Sequence, residues 1–287
     1  MSLEDISENG VFAVLAIDHR DSMRNFLAPE DPSSLSAQEI TELKTDIVSG
    51  AAAQAGATGL MLESEYSIPQ LIDNGSVPEG VGFLAALEAQ GYFGALGTEP
   101  TTFLENWSPK QAAESGAAGC KLLLPYHPDR DLADAQAEVA AEALTNCRAA
   151  GMPLILEPLF YDLDDPADRE RVVLATAERF AAMEPDLLKL PFPVDSNVES
   201  DRSVWASACA KITERVTMPW TVLSGGVNFD LFAEQVEHVV GAGGSGFMVG
   251  RALWGEAARL PHDERVEVVQ NVVVPRFRKL RSLAGLQ

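Results

Sequence analysis

The chain has 287 residues, 46% hydrophobic and 22% charged, which is enough apolar material for a large core and unlike the composition of a disordered segment. Its 43 Asp and Glu against 21 Lys and Arg give a formal charge of −22, which repels nucleic acid and anionic membrane surfaces, and no local basic patch overrides it. Three scattered cysteines (Cys120, Cys147, Cys209) without C-x-x-C or metal spacing read as buried thiols, and the acidic start followed by a short apolar run fits neither a signal peptide nor a membrane span, so a cytoplasmic protein is expected.

The first apolar run, 11–17, closes on Asp18 and His19. A helical pattern over 36–55 leads to a second run at 59–62, and we place the third run at 92–96. After a helix over 108–115 the fourth run, 119–124, is interrupted by Lys121. A helix over 132–150 precedes the fifth run, 154–157, which ends on Glu157 just before Pro158. A helix over 166–183 precedes the sixth, 187–190, which contains Lys189. The seventh, 220–223, follows a helix over 203–216 and ends in Ser224, Gly225 and Gly226. The eighth, 246–249, follows a helix over 229–241 and ends in Gly250 and Arg251. A closing helix starts near Asp263 and carries Pro275, where a kink or break is expected.

Eight short apolar runs alternating with amphipathic helices are the pattern of repeated βα units, and several of the helices end in Ala-Gly or Gly-Ala, as a left-handed stop residue requires. No linker or low-complexity tract divides the chain. The fold expected is therefore α/β, with residues 1–287 forming one (β/α)8 barrel domain. An open doubly wound sheet is the structural rival, disfavoured by the count of eight and by the lack of a G-x-G-x-x-G turn after the first strand.

Such a barrel carries its chemistry at the carboxyl ends of its strands, so the polar residues there are the informative ones. Strands buried on both faces show no alternation, but a lysine aimed outward would be trapped under an apolar helix layer, which points Lys121 and Lys189 inward. Lys189 stands in LLKLPFPV at 187–194, an apolar setting that disfavours the ammonium form and so exposes a nucleophilic amine. Lys121 is followed by three leucines and should sit deeper, as a second cation; nearness to the strand mouth favours Lys189 as the nucleophile, with Lys121 the alternative. Glu157, between the two lysines in barrel order, suits proton transfer, or else a purely structural ion pair with one of them. Asp18 suits a substrate hydroxyl, or else a helix cap. The glycine turns at 224–226 and 250–251 suit an anion held by backbone N–H groups, with Arg251 adding a fork of donors.

Taken together, LAIDHRD (15–21), LESEY (62–66), WSPK (107–110), CKLLLPY (120–126), LEPLFYD (156–162), LKLPFPV (188–194), PWTVLSGGV (219–227) and GFMVGRALW (246–254) resemble the tagatose-bisphosphate aldolase family, a branch of the class I barrel aldolases that includes the sulfofructose-phosphate aldolases. The likeness covers nearly the whole chain. It implies a Schiff-base lyase with Lys189 as the imine lysine, Lys121 and Glu157 handling protons and Asp18 contacting the ketose. It also implies that Ser224, Gly225, Gly250 and Arg251 form the anion-binding turns, and His19 and Gly226, beside them at the strand ends, are added as substrate-binding candidates. The reaction implied is reversible cleavage of a ketose 1-phosphate or 1,6-bisphosphate to dihydroxyacetone phosphate and an aldehyde. The sulfonated ketose phosphate and a transaldolase reaction are alternatives. No cofactor and no metal are called for, the partner is a phosphorylated ketose, and a homo-oligomer is expected. Departures from the family pattern fall at His19 (usually Gln), near His127 (often Asp) and at Leu190-Pro191 (commonly Val-Glu).

Two rivals lie outside that reading. His19, His127 and Glu157 would make a two-histidine, one-carboxylate metal site, although four histidines are too few for the three-histidine zinc set of the other aldolase class. A sugar-phosphate binder without catalysis would need Arg251 and the glycine turns, but gives no reason to bury two lysines and a glutamate at neighbouring strand ends.

Overall fold

The computed structural model describes residues 2–89 and 98–287. A 3-10 turn at Leu3–Ile6 leads into β1 (Phe12–Ala16), α1 (Asp21–Leu27), α2 (Ala37–Ala55), β2 (Gly59–Leu62), α3 (Ile68–Asp73) and β3 (Gly82–Ala86). Next come α4 (Pro109–Glu114), β4 (Gly119–Pro125), α5 (Ala133–Ala149), β5 (Leu154–Leu159), α6 (Arg169–Ala181), β6 (Leu187–Pro191), α7 (Arg202–Arg215), β7 (Trp220–Leu223), α8 (Phe229–Gly241) and β8 (Gly246–Val249). The chain closes with α9 (Arg251–Ala258), α10 (His262–Val268), a π-helical turn at Val269–Val273 and α11 (Val274–Leu283). All strand pairs are parallel, and β8 returns to β1 in the register Phe12 to Gly246, which closes the barrel in chain order.

Local chemistry explains the element ends. Ser36 and Glu39 form a capping box at the start of α2: the serine hydroxyl accepts from the Glu39 N–H, and the glutamate accepts from the Ser36 N–H at 2.8 Å. The same helix stops on Gly56, whose φ of 71° is the left-handed region that other residues avoid. Alternate residues of the strands then divide between two cores. Phe12, Val14, Ala16, Met61, Leu84, Ile155, Leu187 and Met248 fill the barrel interior, while their neighbours, such as Leu15, Leu60, Leu122, Leu156 and Leu188, pack under the helices. Ile6 plugs the amino end of the interior. A Cβ at Gly82 would lie 2.3 Å from the Asp5 carbonyl and one at Gly59 2.8 Å from the Ile6 Cβ, so glycine at the start of β2 and β3 is what admits the plug.

The third strand corrects the sequence reading. The run at 92–96 lies outside the described residues, and the strand that pairs with β2 and β4 is Gly82–Ala86. Its alanines favour helices on propensity alone, and the neighbours on both sides override that preference. Pro275 stands at the second position of α11, immediately after the π turn, so the widened turn meets the residue that lacks an N–H. Among the described residues no helix is long and apolar enough to cross a membrane.

Candidate active site

At the carboxyl ends of the strands the barrel opens into a cavity of about 550 Å³. Asp18, His19, Glu157 and Lys189 line it, and so do Ser224, Gly225, Gly226, Gly250 and Arg251. Lys121 lies below the lining, buried at the next level down. The pleat sets these directions: Leu187 and Ile155 belong to the interior cluster, so Lys189 and Glu157, two residues further along each strand, also point inward. On β4 the outward positions are taken by Leu122 and Leu124, which leaves Lys121 facing in.

The buried charges form one connected group. Lys189 Nζ stands 2.7 Å from Glu157 Oε1 and 3.4 Å from the Met61 sulfur. The apolar setting inferred from Lys189's sequence neighbours is thus replaced in space by a carboxylate. Glu157 Oε2 lies 3.1 Å from Lys121 Nζ, without hydrogen-bond alignment, so the glutamate bridges the two lysines. Lys121 also donates to Asp18 Oδ2 and to Glu88 Oε1, both at 2.7 Å. Glu88 Oε2 accepts the Leu123 N–H at 3.1 Å, and Arg20, itself buried, donates to the Glu88 carbonyl and to Glu65 Oε1. Asp18, Glu88 and Glu157 therefore face Lys121, Lys189 and Arg20, three charges of each sign, all buried at the floor of the cavity.

Burial alone would push the Asp18 carboxyl up, but the ammonium groups of Lys121 and Lys189 outweigh it and hold the acid well below the usual carboxylate range. Burial drives the His19 imidazole down to about 3, with the charges of Arg251 and Lys189 adding to the effect against Asp18, so the ring is neutral at physiological pH. Its Nδ1 lacks a hydrogen-bond partner among the described residues. The ring is fixed edge-on against Trp254, at 5.2 Å between centroids, while the indole N–H donates to the Ala16 carbonyl at 3.0 Å.

The two glycine turns close one side of the cavity. Gly225 and Gly226 have φ of 56° and 82°, two successive left-handed residues that leave no side chain over the turn after β7. Gly250 is the N-cap of α9 and offers no capping side chain, so the first N–H groups of that helix remain available to an anion. A Cβ on Gly250 would sit 3.1 Å from the His19 ring, which ties the first and eighth strand ends together.

Sequence reasoning missed Glu88 and Arg20. Residues 81–87 are an apolar run closed by Glu88, the same signature as at Glu157, and misplacing the third strand hid it. The three groups of the metal rival are not gathered: His127 lies outside the cavity lining, accepting from the Asp129 N–H at 3.2 Å with its ring against Tyr161. Among the described residues no cluster of three or more His, Cys, Asp or Glu is arranged to hold a metal ion.

Comparison with known proteins agrees with this architecture. The sequence profile described as DeoC/LacD family aldolase matches residues 12–256. The tagatose 1,6-diphosphate aldolase 2 of Streptococcus pyogenes serotype M1 is 28% identical, over 92% of this chain and 86% of that protein. The tagatose 1,6-diphosphate aldolase of Staphylococcus haemolyticus is 29% identical, over 90% and 86%. Among solved structures, an archaeal fructose-1,6-bisphosphate aldolase with its catalytic lysine bound to a carbinolamine intermediate superimposes with a TM-score of 0.66 at 18% identity, covering 98% of this chain and 97% of the other.

Proposed function

The chain belongs to the DeoC/LacD aldolase family and is a carbon–carbon lyase, and from that premise we propose that it cleaves a ketose 1-phosphate or 1,6-bisphosphate through an imine on Lys189. The observation that carries the proposal is the buried Lys189 amine, 2.7 Å from Glu157 and lining the same cavity as the two glycine turns. Relatives named as tagatose 1,6-diphosphate aldolases support the substrate class.

In this reading the C1 phosphate rests on the backbone N–H groups at 225–226 and at the start of α9, with Arg251 beside it. Glu157 takes a proton from Lys189, and the free amine attacks C2 to give a carbinolamine. The hydroxyl on C2 leaves as water with a proton returned by Glu157, which lies against both ammonium groups and so can be reloaded through Lys121. The resulting cationic imine draws electrons from the C3–C4 bond. Glu157, directly or through a water, accepts the C4 hydroxyl proton; the bond breaks, an aldehyde leaves, and the electron pair ends in an enamine. Protonation at C3 and hydrolysis release dihydroxyacetone phosphate and restore Lys189. Asp18, held ionised by the two lysines, accepts a substrate hydroxyl and keeps Lys121 in place.

Borohydride added with dihydroxyacetone phosphate should inactivate the protein irreversibly and leave a reduced adduct on the peptide carrying Lys189. Lys110 and Lys279, with side chains 81% and 55% exposed, should remain unmodified. A binder without catalysis forms no reducible imine, so inactivation without an adduct, or no inactivation in a preparation that demonstrably cleaves ketose phosphate, removes the imine. Arg251→Ala should weaken a phosphorylated ketose about ten- to a hundredfold, the range for one charge-assisted contact, and leave the unphosphorylated sugar nearly unchanged. Equal losses for the two ligands in a binding titration would assign Arg251 to structure instead.

A further inference from the structure

The cavity also reaches the ends of β5 and β6, where it is lined by Phe160, Phe192, Arg169, Asp195 and Asn197. Arg169 is the first residue of α6 and leans over the ends of β5 and β6. Its Nε donates to the Phe192 carbonyl at 3.0 Å, and its guanidinium lies 4.9 Å from the centre of the Phe160 ring. These contacts fix the plane of the group through one nitrogen and one face. Among the described residues neither terminal nitrogen has a hydrogen bond or an ion pair.

What distinguishes this arginine is its place in the cavity wall, half-buried between the Phe160 ring and the Phe192 carbonyl. Asp195 is the carboxylate that acts on it, yet its Oδ1 already accepts from the Asn197 N–H at 3.0 Å and side-chain amide at 3.3 Å. Burial pushes the guanidinium below its ordinary value and Asp195 only partly offsets this, so a half-buried fork of donors stands ready for an anion that the protein itself does not supply.

Barrel order says which end of a substrate arrives there. The C1 phosphate lies at β7 and β8, the carbonyl at Lys189 on β6 and the bond to be broken at Glu157 on β5, so C5 and C6 continue over the β5 and β6 ends, beneath Arg169. We propose that Arg169 is the specificity-determining residue for an oxyanion at C6, a phosphate monoester or a sulfonate, which makes this a lyase for ketose phosphates charged at both ends. The inference rests on the imine reading above, because Lys189 sets the orientation of the sugar.

The test measures kcat/KM for fructose 1,6-bisphosphate, for 6-deoxy-6-sulfofructose 1-phosphate and for fructose 1-phosphate. The unaltered protein should favour at least one doubly charged ketose over the 1-phosphate by about tenfold or more, and the favoured one identifies the anion as phosphate or sulfonate. Arg169→Gln should lower that ratio by about tenfold or more, and Arg169→Lys, which keeps the charge without the fork, should retain part of it. Arg169→Met carries the same measurement if the glutamine variant does not fold. An unchanged ratio in a folded variant overturns the assignment. A borohydride adduct at Lys189 with equal turnover of all three ketoses also overturns it and leaves the imine standing. No turnover of any of the three and no adduct would remove both.

Discussion

Lys189→Met is expected to reduce ketose phosphate cleavage by about a thousandfold or more, equivalent to roughly 4 kcal/mol of lost transition-state stabilisation, with the fold intact. Methionine fills the space of the stem but offers no nitrogen, so the carbinolamine cannot form. Arginine at the same place should be equally inactive, because its guanidinium does not give up a proton at accessible pH. Retention of the fold follows from the neighbours: Glu157 loses one ammonium partner but keeps Lys121 at 3.1 Å, so no carboxylate is stranded. Steady-state turnover together with a thermal melt checks both halves. If Lys189→Met keeps more than about a few per cent of turnover while Lys121→Met is dead, Lys121 is the nucleophile.

Lys121→Met should act on stability as well as turnover, with a loss of about 3 to 5 kcal/mol near neutral pH, the range for removing one partner of a buried ionic group. The lysine meets Asp18, Glu88 and Glu157 at 2.7, 2.7 and 3.1 Å, and without it three buried carboxylates share Lys189 and Arg20. The pH dependence identifies the cause. In the intact protein Asp18 is held below its unfolded value, so it contributes stability that is present above about pH 4 and is lost as the pH falls through the lower folded value. In the variant, burial is opposed chiefly by Lys189, so the Asp18 carboxyl rises from its depressed value and contributes less stability when ionised. The deficit relative to the intact protein should therefore shrink as the pH is lowered from about 7 to about 3. Urea unfolding at both pH values reads this directly. A deficit that stays constant with pH would mean that Lys121 matters for packing and not for charge.

Much of the site is legible in the sequence because of where its polar residues fall. Asp18, Glu157, Lys189 and the glycine turns each end an apolar run or interrupt one, and parallel barrel strands leave few other places for such residues. Glu88 carries the same signature at the end of 81–87, but alanines at 85 and 86 do not announce a strand, and without the strand the glutamate has no visible place. Arg20 and Arg169 give no comparable signal. Each sits in a polar stretch after a strand, where an arginine is ordinarily a solvated side chain.

By itself the sequence determined the repeating βα pattern, the helix stops, the polar residues at strand ends and the family, all properties carried by neighbours along the chain. Only the tertiary structure decided which charges meet. Lys121 finds Asp18 across 103 residues and Glu88 across 33, and that choice depends on barrel closure and register. It likewise decided that Lys189 lies against a carboxylate and not in apolar surroundings, and that Arg169 reaches the cavity with its fork unpaired. The physical reason is common to all three. A strand buried on both faces erases the alternation that would reveal direction, and the energy of a buried charge is set by partners brought within about 3 Å by folding, not by the residues beside it in the chain.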